Sequence, residues 1–226
     1  MNRKIKRVLF IGNSHTYYND MPYILRYFTL TNKNTDIIDP VMIAHGGKSL
    51  EEHKTEPEVR FNILYGNYHY VVLQQVAHPF TGGQKSLLKD GLEINEFIKQ
   101  TKTIPVTYLT WSEKNKLENQ QQMTDAYLEL TKQVNAVLCP VGIIWQEFIK
   151  QYPQINIYDQ DGEHANEIGS YLVACVFYVT LLNESPLGLP VRIENNNQLV
   201  LQIAQPIATN IQKLVWSYFK SCYDKN

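Results

Sequence analysis

Short runs of apolar residues alternate along this chain with longer stretches in which apolar and polar positions recur at helical spacing. The apolar runs, rich in Val, Ile, Leu and Tyr, have the length of buried β-strands and lie at 7–12, 39–45, 69–75, 104–111 and 135–141. The longer stretches predict amphipathic helices at 22–32, 51–65, 84–101, 118–134, 143–152, 165–183 and 199–221. The segment at 183–197 has neither pattern, and we predict that it is a loop covering one end of a sheet.

The alternation of strands and helices predicts the fold class. Strands separated by helices are typical of parallel sheets, because a helix returns the chain to the same end of the sheet through a right-handed crossover. We therefore predict an α/β protein, a three-layer α/β/α sandwich around a five-stranded parallel sheet. No repeat or flexible linker interrupts the 226 residues, so we expect a single domain over 1–226.

Composition and charge narrow the classes of function. The chain is 44% hydrophobic and 19% charged with a net charge of −1, which indicates a folded protein with no basic excess for nucleic acid or an anionic membrane. No segment approaches about 20 apolar residues, so no membrane span is expected. The three cysteines, Cys139, Cys175 and Cys222, include no CxxC pair, and the first apolar run is too short for a signal-peptide core. We therefore expect a cytoplasmic protein.

Polar residues and glycines gather where four of the predicted strands end. In an open parallel sheet, functional sites form beyond the carboxyl ends of the strands, which lie at one edge. The residues that follow the first four strands are 12–16, 45–49, 74–75 together with His78, and 110–112. This clustering predicts a functional site at that edge of the sheet.

Ser14 is the candidate nucleophile, because it lies where the first strand ends and the chain must turn. A serine hydroxyl is hardly ionised at neutral pH and needs a base. Asp161-x-x-His164 can supply one, since this spacing lets the carboxylate accept the imidazole Nδ1–H while Nε2 faces outward. Ser14, His164 and Asp161 are therefore the candidate catalytic residues.

Acyl transfer also requires hydrogen-bond donors for the developing oxyanion. Gly46 and Gly47 bring no side chain, so a backbone N–H there can approach a ligand closely. The Ser14 N–H is a second candidate donor. The side-chain amide of Gln74 or Gln75 is a third, and strand alternation directs only one of the two towards any given face.

Two alternatives to an enzyme follow from the same residues. The loop "GNSHT" could hold a phosphate or a flavin in a non-catalytic binding module, although it lacks G-x-G-x-x-G and a P-loop lysine. That alternative leaves Asp161 and His164 unexplained. His15, His45 and His78 could meet at the strand ends around a metal, but no carboxylate or cysteine has matching spacing, so we expect no metal and no cofactor.

Three segments of the chain resemble the SGNH (GDSL-type) hydrolases. "VLFIGNSHT" (8–16) resembles the family's nucleophile block, "AHGGKSL" (44–50) its oxyanion glycine block, and "DGEHANEIGSYLVA" (161–174) its final Asp-x-x-His block. The resemblance implies a flavodoxin-like sheet and serine esterase activity. It assigns Ser14 as nucleophile, His164 as base, Asp161 as its orienting carboxylate and Gly47 as an oxyanion donor.

The chain departs from the family pattern at two places. Asn13 replaces the usual aspartate before the serine. The third block, normally Gly-x-Asn-Asp, is absent where "YVVLQQ" runs into "VAHPF", which resembles a divergent branch in which glutamine replaces the asparagine. We expect Gln75 to supply the missing donor, with Gln74 and His78 as alternatives.

The sequence thus predicts a hydrolase that cleaves a small acyl ester, such as an acetyl group on a carbohydrate, through an acyl-enzyme. Its expected partner is a small-molecule ester. The side chains expected to line the substrate pocket are His15, Tyr17, Tyr18, His78 and Trp111. A degenerate hydrolase that binds such esters without turnover, and the non-catalytic binding module, are the competing predictions.

Overall fold

The computed structural model describes residues 3–78 and 83–223. The strands within them are β1 (Ile5–Gly12), β2 (Ile37–Ala44), β3 (Tyr70–Leu73), β4 (Ile104–Tyr108), β5 (Val137–Cys139), β6 (Arg192–Asn195) and β7 (Gln198–Gln202). The helices are α1 (Ser14–Tyr17), α2 (Met21–Thr31), α3 (Leu50–His53), α4 (Pro57–Tyr65), α5 (Gly83–Ile98), α6 (Asn119–Val134), α7 (Val141–Gln151), α8 (Glu167–Leu182) and α9 (Gln205–Tyr223). A 3-10 turn at Tyr18–Asp20 joins α1 to α2.

The five strands β1 to β5 form one parallel sheet in the order β2-β1-β3-β4-β5. This confirms the predicted α/β fold, and the order is the one found in flavodoxin-like sheets. The chain crosses from one side of β1 to the other between β2 and β3, which makes the β1/β3 boundary the switch point where ligands of such sheets bind. Ser14 lies two residues after the end of β1 and is therefore at this point.

The sheet is buried on both faces, and the side chains of β1 alternate between them. Val8 and Phe10 belong to one core, whereas Leu9 and Ile11 belong to the other, because successive side chains of a strand point in opposite directions. The first core is completed by α2, α7, α8 and α9, through residues such as Ile24, Trp145, Leu172 and Ile211. The second is completed by α3, α4, α5 and α6, through residues such as Leu50, Val59, Leu87 and Leu130.

Three predicted elements differ from the structure. The helix expected at 51–65 is divided into α3 and α4, because Pro57 starts a new helix and cannot donate a backbone hydrogen bond. The loop expected at 183–197 contains β6, which pairs with β7 in an antiparallel hairpin. Asn196 and Asn197 both have positive φ, 48° and 63°, the backbone geometry of a tight hairpin turn. The helix expected at 199–221 begins only at Gln205, because its first predicted residues belong to β7.

The helix α8 is buried over almost its whole length and positions the segment that precedes it. Asn166 caps its N-terminus by accepting a hydrogen bond from the Gly169 N–H at 3.0 Å. A Cβ on Gly169 would lie 2.3 Å from the Ile157 carbonyl oxygen, so glycine permits the close contact there. The residues just before α8, which include His164, are thereby held against the body of the domain. No described helix is both long and apolar enough to span a membrane.

Candidate functional site

The chain turns sharply between β1 and α1, and this turn presents Ser14 at the edge of the sheet. Asn13 has an extended backbone (φ −142°, ψ −153°) and is the N-cap of α1. Its Oδ1 accepts a hydrogen bond from the His15 N–H at 3.1 Å. Ser14 is the first helical residue and is half-buried, so its side chain emerges at a defined position beside the strand ends.

Ser14, His164 and Asp161 form a hydrogen-bonded chain, although 150 positions separate the serine from the histidine. The Ser14 Oγ lies 2.7 Å from His164 Nε2. On the other side of the ring, His164 Nδ1 lies 2.5 Å from Asp161 Oδ2. The structure therefore brings together the three side chains that the sequence identifies as candidate catalytic residues, in the geometry of nucleophile, base and orienting carboxylate.

Asp161 is held as a carboxylate by its own loop. Its Oδ1 accepts the backbone N–H groups of Glu163 at 2.8 Å and His164 at 2.9 Å. Partial burial acts to raise the pKa of Asp161, but these hydrogen bonds and the one from the His164 ring outweigh burial and lower the pKa to about 2. The carboxylate is consequently ionised throughout the neutral range and can keep the Nδ1 proton on the imidazole.

The loop that carries Asp161 and His164 is fastened to the end of β4. Trp111 Nε1 donates to the Glu163 carbonyl at 2.8 Å, and the Lys114 N–H donates to the Gly162 carbonyl at 2.9 Å. Trp111 is fully buried, with its ring stacked 4.1 Å from that of Trp145. This corrects the expectation that Trp111 lines the substrate pocket: it supports the catalytic loop from the core.

The departure at Asn13 has a structural reason. Asn13 Nδ2 donates to the Lys48 carbonyl at 3.0 Å, which joins the nucleophile turn to the loop that carries Gly46 and Gly47. Gly47 has φ +68°, a left-handed conformation that glycine adopts without strain. A Cβ on Gly46 would lie 3.3 Å from the Tyr17 hydroxyl, so the predicted lining residue Tyr17 borders this loop. Asparagine can donate to a carbonyl, whereas an aspartate cannot.

We expect Asn13→Asp to weaken both the fold and the site. A carboxylate oxygen would face the Lys48 carbonyl oxygen, so a hydrogen bond would be replaced by repulsion at a buried position. The free energy of unfolding should fall by about 1–3 kcal/mol, and kcat/KM for an ester should fall about 10- to 100-fold as the Gly47 loop shifts. Urea denaturation and ester hydrolysis measure the two effects.

Asn34→Asp is a suitable control, since it adds the same charge at an exposed position. If Asn13→Asp matched this control in stability and rate, the link between Asn13 and Lys48 would not support the site.

Gln74 holds the nucleophile turn in place. Its Oε1 accepts hydrogen bonds from the Asn13 N–H at 2.8 Å and from Thr16 Oγ1 at 3.0 Å, and its Nε2 donates to the Gln75 carbonyl. A Cβ on Gly12 would lie 2.3 Å from the same Oε1, so glycine is required at the end of β1. The Gln74 amide is buried and engaged with the protein itself.

Gln75 points to the opposite face of the sheet, which corrects the expectation that it supplies an oxyanion donor. Its Oε1 accepts the N–H groups of Leu50 and Val76, both at 2.9 Å, and its Nε2 donates to Ser86 Oγ at 3.1 Å. The reason is strand alternation: Val72 faces the core formed with α8, so Gln74 follows it there and Gln75 does not. Its amide braces the end of β3 against α3 and α5.

His15 and His78 form a buried cluster behind His164. The His15 ring centroid lies 5.1 Å from that of His78, 5.1 Å from that of Trp111 and 5.0 Å from that of His164. Burial and the neighbouring His78 and His164 hold the pKa of His15 well below its usual value, and burial lowers the pKa of His78 to about 4 although Glu113 opposes it. Both rings are neutral at pH 7.

His15 therefore lies inside the protein and does not form an open pocket wall, which corrects the expectation for this residue. His78 is half-buried, and its place in the pocket lining stays a prediction. The Nε2 atoms of His15 and His78 are buried and have no hydrogen-bond partner in the described part of the chain. Residues 79 and 80, which end the segment that departs from the family's third block, lie outside the described residues.

Tyr18 has a contact that the sequence did not reveal. Its ring lies 4.1 Å from that of His164 at an interplanar angle of 15°, so the two rings are stacked. The sequence indicated Tyr18 only as a candidate pocket residue. Its stacking depends on the backbone conformation of the turn at 18–20, which no periodicity or motif reports.

Among the described residues, one group of side chains is spaced closely enough to bind a metal. It differs from the three histidines that the sequence analysis considered. It consists of His45, Glu56 and Glu58, whose ligand atoms lie within 4.8 Å of one another. The Glu56 carboxylate is already paired with Lys48 Nζ and lies 3.2 Å from His53 Nδ1. We assign no metal role to this group.

Solved structures with the same architecture support the fold. A candidate SGNH hydrolase from Slackia heliotrinireducens has a TM-score of 0.66 at 23% identity, over 80% of this chain and 100% of that one. A DUF4886 family protein from Bacteroides uniformis has a TM-score of 0.72 at 19% identity, over 96% and 95%. The psychrotrophic esterase EstA from Pseudoalteromonas sp. has a TM-score of 0.61 at 12% identity, over 78% and 96%.

No family model and no curated protein sequence matches the chain. The structural similarities establish that the chain has the flavodoxin-like α/β/α fold of the SGNH hydrolases, as the sequence motifs predicted. At these identities the likeness concerns the fold, and the activity has to be argued from the site itself.

Proposed function

We propose that this protein is a serine hydrolase that cleaves ester bonds through an acyl-enzyme on Ser14. The observation that carries the proposal is the hydrogen-bonded chain from Ser14 Oγ through the His164 ring to Asp161, with distances of 2.7 and 2.5 Å. A serine that only capped a helix or bound phosphate would not need a hydrogen bond to an imidazole. It would also not need a carboxylate hydrogen-bonded to the other nitrogen of that imidazole. Nucleophilic catalysis requires both.

The acylation step follows from these contacts. Ser14 Oγ attacks the ester carbonyl carbon as His164 Nε2 takes its proton, and the carbonyl π electrons move to the oxygen. The tetrahedral intermediate then collapses, the bond to the alkoxy group breaks, and His164 gives its proton to the leaving alcohol. Asp161 stays ionised and stabilises the imidazolium, consistent with its low pKa of about 2. Water repeats the sequence on the acyl-enzyme and releases the acid.

The backbone supplies the oxyanion donors in this proposal. Ser14 begins α1, and the N–H groups of the first helical residues have no acceptor within their own helix. The Gly47 N–H lies in the loop that Asn13 ties to the nucleophile turn. The amides of Gln74 and Gln75 are engaged elsewhere, so these two backbone donors carry the charge stabilisation that we assign.

The surroundings of Tyr18 favour a polar alcohol portion, such as a carbohydrate, bearing a small acyl group. A cavity of about 500 Å³ lies between the turn at 17–20 and the β6–β7 hairpin. Its lining combines the Tyr17 ring with the side chains of Asp20, Asn195 and Gln198, which suit stacking and hydrogen bonding to hydroxyl groups. No triad residue lines this cavity, and it is assigned to the substrate because Tyr18, whose ring stacks on His164, borders it. A larger cavity of about 910 Å³ beside α6 and α7 is lined by neither Tyr18 nor a triad residue and is not assigned to the substrate.

Rapid-mixing hydrolysis of p-nitrophenyl acetate tests the proposal. We expect a burst of one p-nitrophenol per protein chain followed by slower steady turnover, because acylation of Ser14 precedes hydrolysis of the acyl-enzyme. A screen of acetylated sugars against longer-chain esters then identifies the alcohol and acyl portions.

The control is Ser217→Ala, which removes an exposed serine of α9 and should leave the burst unchanged. Absence of both burst and turnover in the folded protein, together with stoichiometric binding of an ester, would instead support a domain that binds esters without cleaving them.

A further inference from the structure

The imidazole of His164 contacts two aromatic rings. Tyr18 stacks on it with a centroid distance of 4.1 Å and an interplanar angle of 15°. His15 also stacks against it, at 5.0 Å and 30°. The two ring nitrogens of the proposed base are at the same time hydrogen-bonded to Ser14 and Asp161. We call Tyr18, His164 and His15 the aromatic stack.

The turn that places Tyr18 on His164 has an unusual backbone. Asn19 (φ 52°, ψ 33°) and Asp20 (φ 54°, ψ 37°) are consecutive non-glycine residues in the left-handed region. Such conformations are unfavourable for L-residues and persist only where the surroundings enforce them. Relaxation of this turn to ordinary φ values would redirect the chain just after Tyr18.

Hydrogen bonds to the segment after His164 hold this turn. Asn19 Nδ2 donates to the Ala165 carbonyl at 3.0 Å and to Ser170 Oγ at 2.9 Å. Ser170 Oγ in turn donates to the Tyr18 carbonyl at 3.3 Å. The turn that follows the nucleophile is therefore fastened to the chain that follows the base, and the position of Tyr18 is tied to that of His164.

We propose that Tyr18 is a positioning residue: its ring, held by the left-handed turn at 19–20, fixes the orientation of His164 and stabilises the imidazolium that forms in the transition state. The proposal rests on the proposed function, in which His164 is the base. The negatively polarised face of an aromatic ring attracts a cation placed over it, so the imidazolium formed in the transition state gains more from the stack than neutral imidazole does. A fixed ring also keeps Nε2 directed at Ser14.

The neighbouring charges are compatible with this role. His15 is buried and its pKa is held well below the usual value, first by burial, so it adds no positive charge beside His164. The other titratable groups that face the stack are Asp161 and Asp159 near Tyr18, Tyr17 beside it, and His78 beside His15. Of these titratable groups in the described residues, Asp161 alone forms a hydrogen bond with the imidazole, and the Tyr18 substitutions leave that bond in place.

The test compares Tyr18→Leu with Tyr18→Phe. Leucine keeps apolar volume but removes the ring face, whereas phenylalanine keeps the ring. For Tyr18→Leu we expect kcat to fall at least about tenfold with KM nearly unchanged. Tyr18→Phe should restore kcat. Tyr65→Leu, at an exposed tyrosine of α4, is the matched control.

The effect of the Tyr18 ring on His164 is measured in two independent ways: from kcat, and by NMR at fixed pH of the His164 ring signals, assigned with His164→Gln, which should broaden in Tyr18→Leu and stay sharp in Tyr18→Phe. The NMR measurement needs no substrate, so it tests the stack even if the protein proves inactive towards esters. Unchanged kcat and unbroadened ring signals in Tyr18→Leu, or equal changes in Tyr18→Phe, would overturn the proposal. A change in KM alone would also overturn it, and would make Tyr18 a substrate-lining residue.

Discussion

Replacement of Ser14 by alanine is expected to lower kcat for ester hydrolysis by about 10⁴- to 10⁶-fold. The substitution removes the only atom that the site presents to His164 Nε2 as a nucleophile in the described residues. The residual rate should reflect water attack assisted by the backbone donors at Ser14 and Gly47. Steady-state hydrolysis at enzyme concentrations high enough to measure the mutant gives the ratio directly.

The fold should not change with this substitution. Ser14 makes one side-chain hydrogen bond at a half-buried position, so the free energy of unfolding is expected to change by at most about 1 kcal/mol. Circular dichroism and urea denaturation verify that Ser14→Ala is folded, and Ser217→Ala shows the effect of losing a serine elsewhere. A folded Ser14→Ala protein with wild-type turnover would exclude Ser14 as the nucleophile.

Replacement of Asp161 by asparagine is expected to lower kcat by about 10⁴-fold, with little change in KM. An asparagine would keep an oxygen for the backbone N–H groups of Glu163 and His164. Its NH₂ group would then face His164 Nδ1, which would have to accept that hydrogen bond and carry its proton on Nε2 instead. An Nε2–H cannot take a proton from Ser14, so the base would be lost while the loop was preserved.

The control for this change is Asp159→Asn, two residues earlier in the same loop, which removes a like charge without touching the imidazole. His164→Ala should be as damaging as Asp161→Asn or more so. Since the two residues act as one unit, the double variant His164→Ala/Asp161→Asn should be no slower than the slower single variant. Losses that multiplied in the double variant would show that the carboxylate acts independently of the histidine.

Much of the fold and the three triad residues could be predicted, because both follow from patterns of neighbouring residues along the sequence. The strand runs and the helical spacing predicted the parallel sheet, and the carboxyl ends of its strands predicted where Ser14 would lie. Asp161 and His164 were recognisable because a turn of three residues links them. Such signals depend on spacing along the chain, which the sequence contains directly.

The remaining site features depend on orientation in three dimensions. Period-two alternation indicated that only one of Gln74 and Gln75 faces the site, but the sequence did not say on which side of the sheet the site lies. Trp111 is aromatic and near a strand end, as a pocket residue would be, yet packing against Trp145 places it in the core. The contact of Tyr18 depends on two left-handed residues that are not glycine.

The central claim is that Ser14 is an activated nucleophile, and covalent labelling tests it most directly. The folded protein is treated with a fluorophosphonate, and intact mass and peptide mapping by mass spectrometry identify the adduct. We predict one adduct per chain, on the peptide that contains Ser14, with no labelling of Ser14→Ala and much slower labelling of Asp161→Asn. Absence of labelling in the folded wild-type protein, or equal labelling of Ser14→Ala, would contradict the claim.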